Sequence, residues 1–329
     1  MTSSSLRRRF FSVTGSQMSS LISTETLFNS LLNSQFSILD CSWYLPTAGR
    51  NGLAEFNQRR IPGARFFDIN GPGLSDKATT LPHMLPSEKE FAKAAAQLDL
   101  SKTKPVVCYD TSGLFSAARV WYHLKAFGHK NVYVLDGGFP RWIEEGRTIE
   151  SGASLPLAIV RSVEQWHLDK EMVRSLSQIT ENISVRKQAR ERNADDLRNQ
   201  DIIIDARSSG RFSGLDAEVR PGVRSGHIPF SLNVPYTLVL DSAKKNQSLL
   251  PKEDLQDVFE DAGVDLKRPG KIITSCGSGV TAAVITLALS EAGRPFESTA
   301  LYDGSWTEYG SNTDTVVATG SVPKIDKET

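Results

Sequence analysis

Three cysteines in 329 residues are too few to staple a disulfide scaffold, so the chain does not read as a cystine-rich secreted domain. Net charge is missing too: 38 Lys and Arg meet 38 Asp and Glu, which leaves no global field to draw nucleic acid or anionic lipid. No apolar run reaches the ~18–20 residues of a membrane span, and no span is predicted. Acid is absent from residues 1–24, the first being Glu25. What remains is ordinary globular material, with 39% hydrophobic and 23% charged residues. That balance excludes a disordered chain, and the length suits one large or two medium domains.

The acid-free start carries Arg7, Arg8 and Arg9 among serines, and a helix over residues 6–13 would set Leu6, Phe10 and Val13 against them. No apolar core of 7–15 residues follows, as a secretory signal requires, so residues 1–19 read as a mitochondrial presequence. Met18 has no basic residue nearby, and initiation there would yield a second, cytoplasmic form.

The rest of the chain repeats itself. Ile38-Leu39-Asp40 returns as Ile203-Ile204-Asp205, and Arg60-Ile61-Pro62-Gly63 as His227-Ile228-Pro229. Leu85-Pro86-Ser87-Glu88 returns as Leu250-Pro251-Lys252-Glu253, and Leu135-Asp136-Gly137-Gly138-Phe139 as Tyr302-Asp303-Gly304-Ser305-Trp306. Four matches at one near-constant offset mark a tandem duplication. Within each copy β-branched runs alternate with helical segments: Val106–Tyr109, a helix through Ala117–Trp121, then Val132–Leu135; and Lys271–Thr274, a helix over Ala282–Glu291, then Thr299–Tyr302. The pattern predicts an α/β fold of two domains, each a mostly parallel sheet covered by helices on both faces. The expected boundaries are 20–150 and 166–312, a linker over 151–165 and a tail over 313–329. The charged run Lys187–Asn199 reads as a solvated helix or loop.

One segment carries chemistry. Ser275-Cys276-Gly277-Ser278-Gly279-Val280-Thr281 lies between a strand and a helix expected to open near Ala282. Its glycines let successive N–H groups curl into an anion nest, and the helix dipole points its positive end there. A cysteine so placed is expected to have a depressed pKa and act as a thiolate nucleophile. Cys41 and Cys108 sit in apolar strand segments and read as buried. No cysteine or histidine group has metal-ligand spacing, so no metal and no cofactor are expected.

The repeats, the Cys276 loop and the segment Tyr302–Trp306 resemble the two-domain sulfurtransferases of the rhodanese superfamily, over roughly residues 20–310. The resemblance is closest to the branch that uses 3-mercaptopyruvate, fungal thiouridine-modification relatives included. In the thiosulfate branch Arg and Lys typically follow the cysteine, where this chain has Gly277 and Ser278. A dianion suits cations inside the loop; a carboxylate with a keto group suits cations set further away. Arg211 and Arg220 match the family's substrate-binding arginines, and a planar fork fits a carboxylate. With Gly277, Gly279, Val280 and Thr281 they make the expected substrate-binding set.

The resemblance also implies that only the second repeat is catalytic. Asp110 stands where the first repeat would carry the nucleophile, and a carboxylate cannot hold a sulfane sulfur. The family's histidine motif reads His83-Met84-Leu85-Pro86, which implies a proton relay of Ser278, His83 and an acid. The family's Phe-Phe-Asp-Ile-Asp reads Phe66-Phe67-Asp68-Ile69-Asn70, so either Asp68 or Asn70 would be the third member. Implied partners are thioredoxin or another thiol acceptor, and an ubiquitin-like activating enzyme that leads sulfur into tRNA thiolation; no direct nucleic-acid contact is implied. The rival readings are a thiosulfate sulfurtransferase, a non-catalytic protein-binding module and a Cys-x5-Arg phosphatase. The last needs an arginine at position 282, which is Ala282.

Overall fold

The computed structural model describes residues 19–153, 163–192, 199–244 and 247–320. The expected leader up to Met18 and residues 154–162 of the expected linker lie outside them. The first repeat contains strands β1 Leu21–Ile22, β2 Ser37–Asp40, β3 Arg65–Phe66, β4 Val106–Tyr109 and β5 Val132–Leu135. Its helices are α1 Thr24–Ser30, α2 Gly52–Gln58, α3 Glu88–Gln97, α4 Ala117–Ala126 and α5 Gly138–Glu144. The second contains β6 Val173–Arg174, β7 Ile202–Asp205, β8 Leu232–Asn233, β9 Ile272–Ser275 and β10 Thr299–Tyr302. Its helices are α6 Leu176–Glu191, α7 Ser209–Ser213, α8 Lys252–Asp261, α9 Val280–Glu291 and α10 Ser305–Ser311.

Each repeat builds one five-stranded sheet, in the orders β1-β5-β4-β2-β3 and β6-β10-β9-β7-β8, and every pairing is parallel. The two orders are one topology used twice, as the duplication predicts. Parallel sheets need cover on both faces, and β4, β7, β9 and β10 are buried at every position.

Side chains that alternate across each strand divide between layers. Ile38, Val107 and Tyr109 face an outer cluster in the first repeat; Ile203, Ile273 and Tyr302 do so in the second. Their neighbours Leu39, Val106, Ile204 and Ile272 join a single central core that runs through both repeats. Between the sheets α4 packs on α9, so the two repeats share a core. Helix α9 is buried along nearly its whole length, as an apolar helix between two layers must be. Cys41 and Cys108 are fully buried in this core, as expected.

Two boundaries differ in detail from expectation. The charged run continues α6 as far as Glu191, and residues 193–198 lie outside the described residues. The expected tail begins as packed chain: His227 and Ala318 exchange backbone hydrogen bonds of 2.8 and 3.0 Å. No described helix is long and apolar enough to cross a membrane.

Candidate active site

The carboxyl end of β9 delivers Cys276 into the strand-to-helix turn, and the turn is tied down by α10. Trp306 N–H donates to the Cys276 carbonyl at 2.9 Å, and Thr307 donates to the Gly277 carbonyl through its N–H (2.9 Å) and Oγ1 (2.5 Å). The Cys276 N–H itself goes to Ser305 Oγ at 3.2 Å. With the carbonyls held on one side, the amides of Gly277, Ser278 and Gly279 meet no acceptor among the described residues. Gly279 is the N-cap, left-handed at φ +80, and α9 opens at Val280, two residues before the expected Ala282. The amides of Val280 and Thr281 therefore belong to the first helical turn, whose N–H groups have no intrahelical partner. The result is an anion nest at a helix N-terminus, with Cys276 beside it and only 2% exposed.

Both predicted arginines converge on this turn. Arg211 Nη2 lies 3.3 Å and Arg220 Nη1 3.6 Å from the place a β-carbon on Gly277 would take, so any larger residue would push against them. Arg220 Nη2 also donates to Ser278 Oγ at 3.3 Å. Burial lowers the Arg220 pKa and Arg211 lowers it further, while the charge of Cys276 acts the other way.

What aims Arg211 was not foreseen. Its guanidinium pairs with Glu218 at 2.5 Å; Glu218 is held from its other side by Arg207 at 2.6 Å, and Arg207 pairs with Asp205 at the end of β7 at 2.6 Å. Arg207 also lies over the Trp306 ring, 4.4 Å from its centroid. This series of ion pairs fastens Arg211 to the sheet. Its trace in the sequence is a scatter of charges from 205 to 220.

The expected proton relay is not assembled, and this corrects the sequence reading. His83 does arrive from the first repeat, buried, left-handed at φ +63, its ring edge-on to Trp43 at 4.6 Å. Neither ring nitrogen has a hydrogen-bond partner. Burial pushes the His83 pKa down to about 3, helped by Arg119, Arg220 and Lys77, all of them cations. Asp68 is exposed and accepts from the Asn70 amide at 2.9 Å; the Asn70 carbonyl takes the Lys77 ammonium. No carboxylate reaches the imidazole, so the ring is neutral and the Ser278 hydroxyl has Arg220 as its partner.

Two more contacts bring the first repeat to the turn. Arg119 on α4 pairs with Asp303 at 2.5 Å and donates to the His83 carbonyl at 2.6 Å; the Leu85 amide donates to the other Asp303 oxygen at 2.8 Å. Spacing along the chain offers no signal for a pair 184 residues apart.

The model of the rhodanese-like domain matches residues 27–145 and 187–312, one match per repeat. Thiosulfate/3-mercaptopyruvate sulfurtransferase 2 of Arabidopsis thaliana is 40% identical over 309 residues, covering 88% of this chain and 84% of that one. Rattus norvegicus 3-mercaptopyruvate sulfurtransferase is 39% identical over 287 residues, covering 87% and 88%. Among solved structures, the sub-stoichiometric sulfur transferase subunit of yeast mitochondrial complex I superposes with a TM-score of 0.80 at 32% identity, covering 92% of this chain and 100% of that one.

Proposed function

The chain belongs to the rhodanese family and is a sulfurtransferase, and from that premise we propose that Cys276 takes its sulfur from 3-mercaptopyruvate and passes it to a thiol. The Cys276 thiolate attacks the thiol sulfur of the donor. A bond forms between Sγ and that sulfur, the bond from sulfur to C3 breaks, and its electron pair leaves with pyruvate as the enolate. One proton then completes the methyl group. In the second half-reaction an acceptor thiolate attacks the outer sulfur and Cys276 departs as thiolate, which gives ping-pong kinetics.

Roles follow from position. The amides of Gly277, Ser278, Gly279, Val280 and Thr281 stabilise negative sulfur in both the thiolate and the persulfide. Arg211 and Arg220 hold the donor's carboxylate and keto oxygen. Ser278 hands on the proton; its oxygen accepts from Arg220, which leaves its own hydrogen free to donate. His83 stands beside the site as a buried neutral ring, and Asp68 has no part.

One observation carries the choice of donor: the two arginines meet over Gly277, while the loop after Cys276 carries no cation of its own. Positive charge set beside the loop fits a carboxylate better than a dianion at the sulfur. The test is to incubate the protein with 3-mercaptopyruvate and weigh it. One added sulfur on Cys276 and pyruvate in solution are expected, neither appearing in Cys276→Ser. Their absence from the native chain defeats the proposal, and a faster reaction with thiosulfate reassigns the donor.

On this reading residues 20–150 cover the cleft and residues 166–312 form the catalytic domain. The acceptors are dithiols such as thioredoxin, and an ubiquitin-like activating enzyme in a route to tRNA thiolation. The leader directs the protein to mitochondria, with a second cytoplasmic form starting at Met18. Fractionated cells should then contain two sizes of the protein, and a single size in one compartment would refute the dual address.

A further inference from the structure

We infer that Arg119, a residue of the catalytically silent repeat, is a positioning residue for sulfur transfer: it braces the Cys276 turn through Gly279 and holds positive charge at the opening of α9. The inference rests on Cys276 being the nucleophile, as proposed above.

Arg119 lies in the first turn of α4, on the helix that packs against α9, and is only 2% exposed. A guanidinium in an apolar helix interface costs several kcal/mol unless it is fully paired. It is not. Nη2 serves both Asp303 and the His83 carbonyl, whereas Nη1 is buried without any hydrogen-bond partner. That free nitrogen stands 2.9 Å from where a β-carbon on Gly279 would sit. Gly279 is the left-handed N-cap of α9, so the guanidinium packs on the residue that turns the loop into the helix. A cation beside the positive end of a helix is unfavourable on its own. It becomes favourable once an anion occupies the nest, and the thiolate or persulfide of Cys276 is such an anion.

The pseudo-symmetry of the molecule separates this role from plain adhesion between repeats. Asp303 takes the Leu85 amide from the first repeat, whereas its counterpart Asp136 has one oxygen buried without a hydrogen-bond partner among the described residues. An acid therefore stands at this place in both repeats, but only Asp303 is seen to take an amide from the other repeat among the described residues. On the silent side, however, the cation on Asp136 is Arg141 from its own repeat, 2.7 Å away and partly exposed. Among the described residues, an arginine that crosses between repeats into the core stands on the catalytic side alone. In the second repeat, the position that corresponds to Arg119 by the offset of Cys276 from Asp110 is Ile285, fully buried.

The full chain carrying Arg119→Met, Asp303→Asn, both together, or Arg119→Lys tests this. Three quantities are read: the pH midpoint of Cys276 alkylation by iodoacetamide without donor, kcat and KM with 3-mercaptopyruvate, and the melting temperature. Arg119→Met alone leaves Asp303 unpaired, so the double variant is decisive. It is expected to alkylate with a midpoint raised by about one pH unit and to lose about tenfold in kcat relative to Asp303→Asn. KM should stay within about threefold, because Arg211 and Arg220 are untouched. Arg119→Lys keeps the charge without the fork and is expected to retain the alkylation midpoint while losing part of kcat. If the folded double variant matches Asp303→Asn in midpoint and kcat, Arg119 only neutralises Asp303 and the inference is overturned. Should the Met variants not fold, native kcat in Arg119→Lys overturns it equally. Failure of the native chain to alkylate or persulfurate at Cys276 is a separate outcome, and defeats the nucleophile assignment itself.

Discussion

The two repeats end equivalent strands, β4 and β9, in turns that solve the same electrostatic problem differently. In the first, Asp110 bends its carboxylate back into the turn and accepts from the amides of Ser112 (2.8 Å), Phe115 (2.9 Å) and Ala117 (2.8 Å). In the second, Cys276 holds that position and the loop amides are left open. Both turns offer amides to an acceptor; in one the Asp110 carboxyl, its pKa raised by burial, fills the place, and the other keeps the place for a sulfur that comes and goes. The neighbouring charges follow the same division. Asp205 pairs with Arg207 and so begins the chain of contacts to Arg211. Its counterpart Asp40 accepts from the Ser42 amide at 2.9 Å, and its second oxygen is buried without a hydrogen-bond partner among the described residues. One copy thus holds a sealed nest and an acid with a buried, unpartnered oxygen.

The strongest way to break this comparison is to give the second turn the first turn's residue. Cys276→Asp should abolish sulfur transfer, by roughly 10⁴-fold or more, since the nucleophile is gone. It should nonetheless fold with stability within about 1 kcal/mol of the native protein or above it, because a carboxylate finds amides already waiting. Pyruvate release and urea denaturation check the two halves. An inactive variant that is also strongly destabilised would mean that the turns are not equivalent.

Next in size is Arg220→Ala, which removes the cation that donates to Ser278 Oγ. Losing a charge-assisted contact to a carboxylate should lower kcat/KM for 3-mercaptopyruvate about 10²-fold, mainly through KM. Steady-state kinetics decide, and a loss confined to kcat would move Arg220 from binding to chemistry.

The orphaned acid supplies a stability test in the silent repeat. Burial raises the Asp40 pKa from 3.8 to about 6. A folded pKa above the unfolded one means a contribution that is fully present below pH 4 and is lost as pH rises through 6. Asp40→Asn imitates the protonated acid and escapes that loss. It should stabilise the protein by about 2–3 kcal/mol at pH 7.5 and by almost nothing at pH 4, read by urea denaturation at both. An equal gain at the two pH values would show that packing, not ionisation, is responsible.

Much of this was legible in the sequence because it is local. The runs Val106–Tyr109 and Ile272–Ser275 are short, β-branched and bounded by breakers, and they became β4 and β9. Two glycines two residues apart announced the Cys276 turn. The helix start was misplaced by two residues because Gly279, in a left-handed cap, lets α9 begin at once. The two-residue edge strands β1, β3, β6 and β8 are too short to show a period. Charge partners were hidden for another reason: Arg119 finds Asp303 only when α4 meets α9, and Glu218 joins Arg207 to Arg211 only after the turn beyond β7 has folded. The resemblance located His83 but could not reveal which charges would surround it.

His83 yields the smallest expected effect and the sharpest use of the two-repeat comparison, since it is a side chain the silent repeat lends to the active one. A general acid or base contributes about 10²–10⁴-fold when its pKa lies near the working pH. With Arg119, Arg220 and Lys77 around it and no carboxylate, the His83 pKa lies near 3, and the ring does not change charge between pH 5 and 8. The profile of kcat/KM in that range should then carry no inflection that depends on His83. Asparagine tolerates the left-handed backbone at this position and retains a donor and an acceptor. His83→Asn should therefore lower kcat/KM by no more than about tenfold at any pH in the range, well short of the loss expected for a general base. A native inflection near pH 6.5 that vanishes in the variant would restore the proton relay. It would require an acid to approach the ring when the donor binds, and Asp68 would have to leave its hydrogen bond with the Asn70 amide to be that acid.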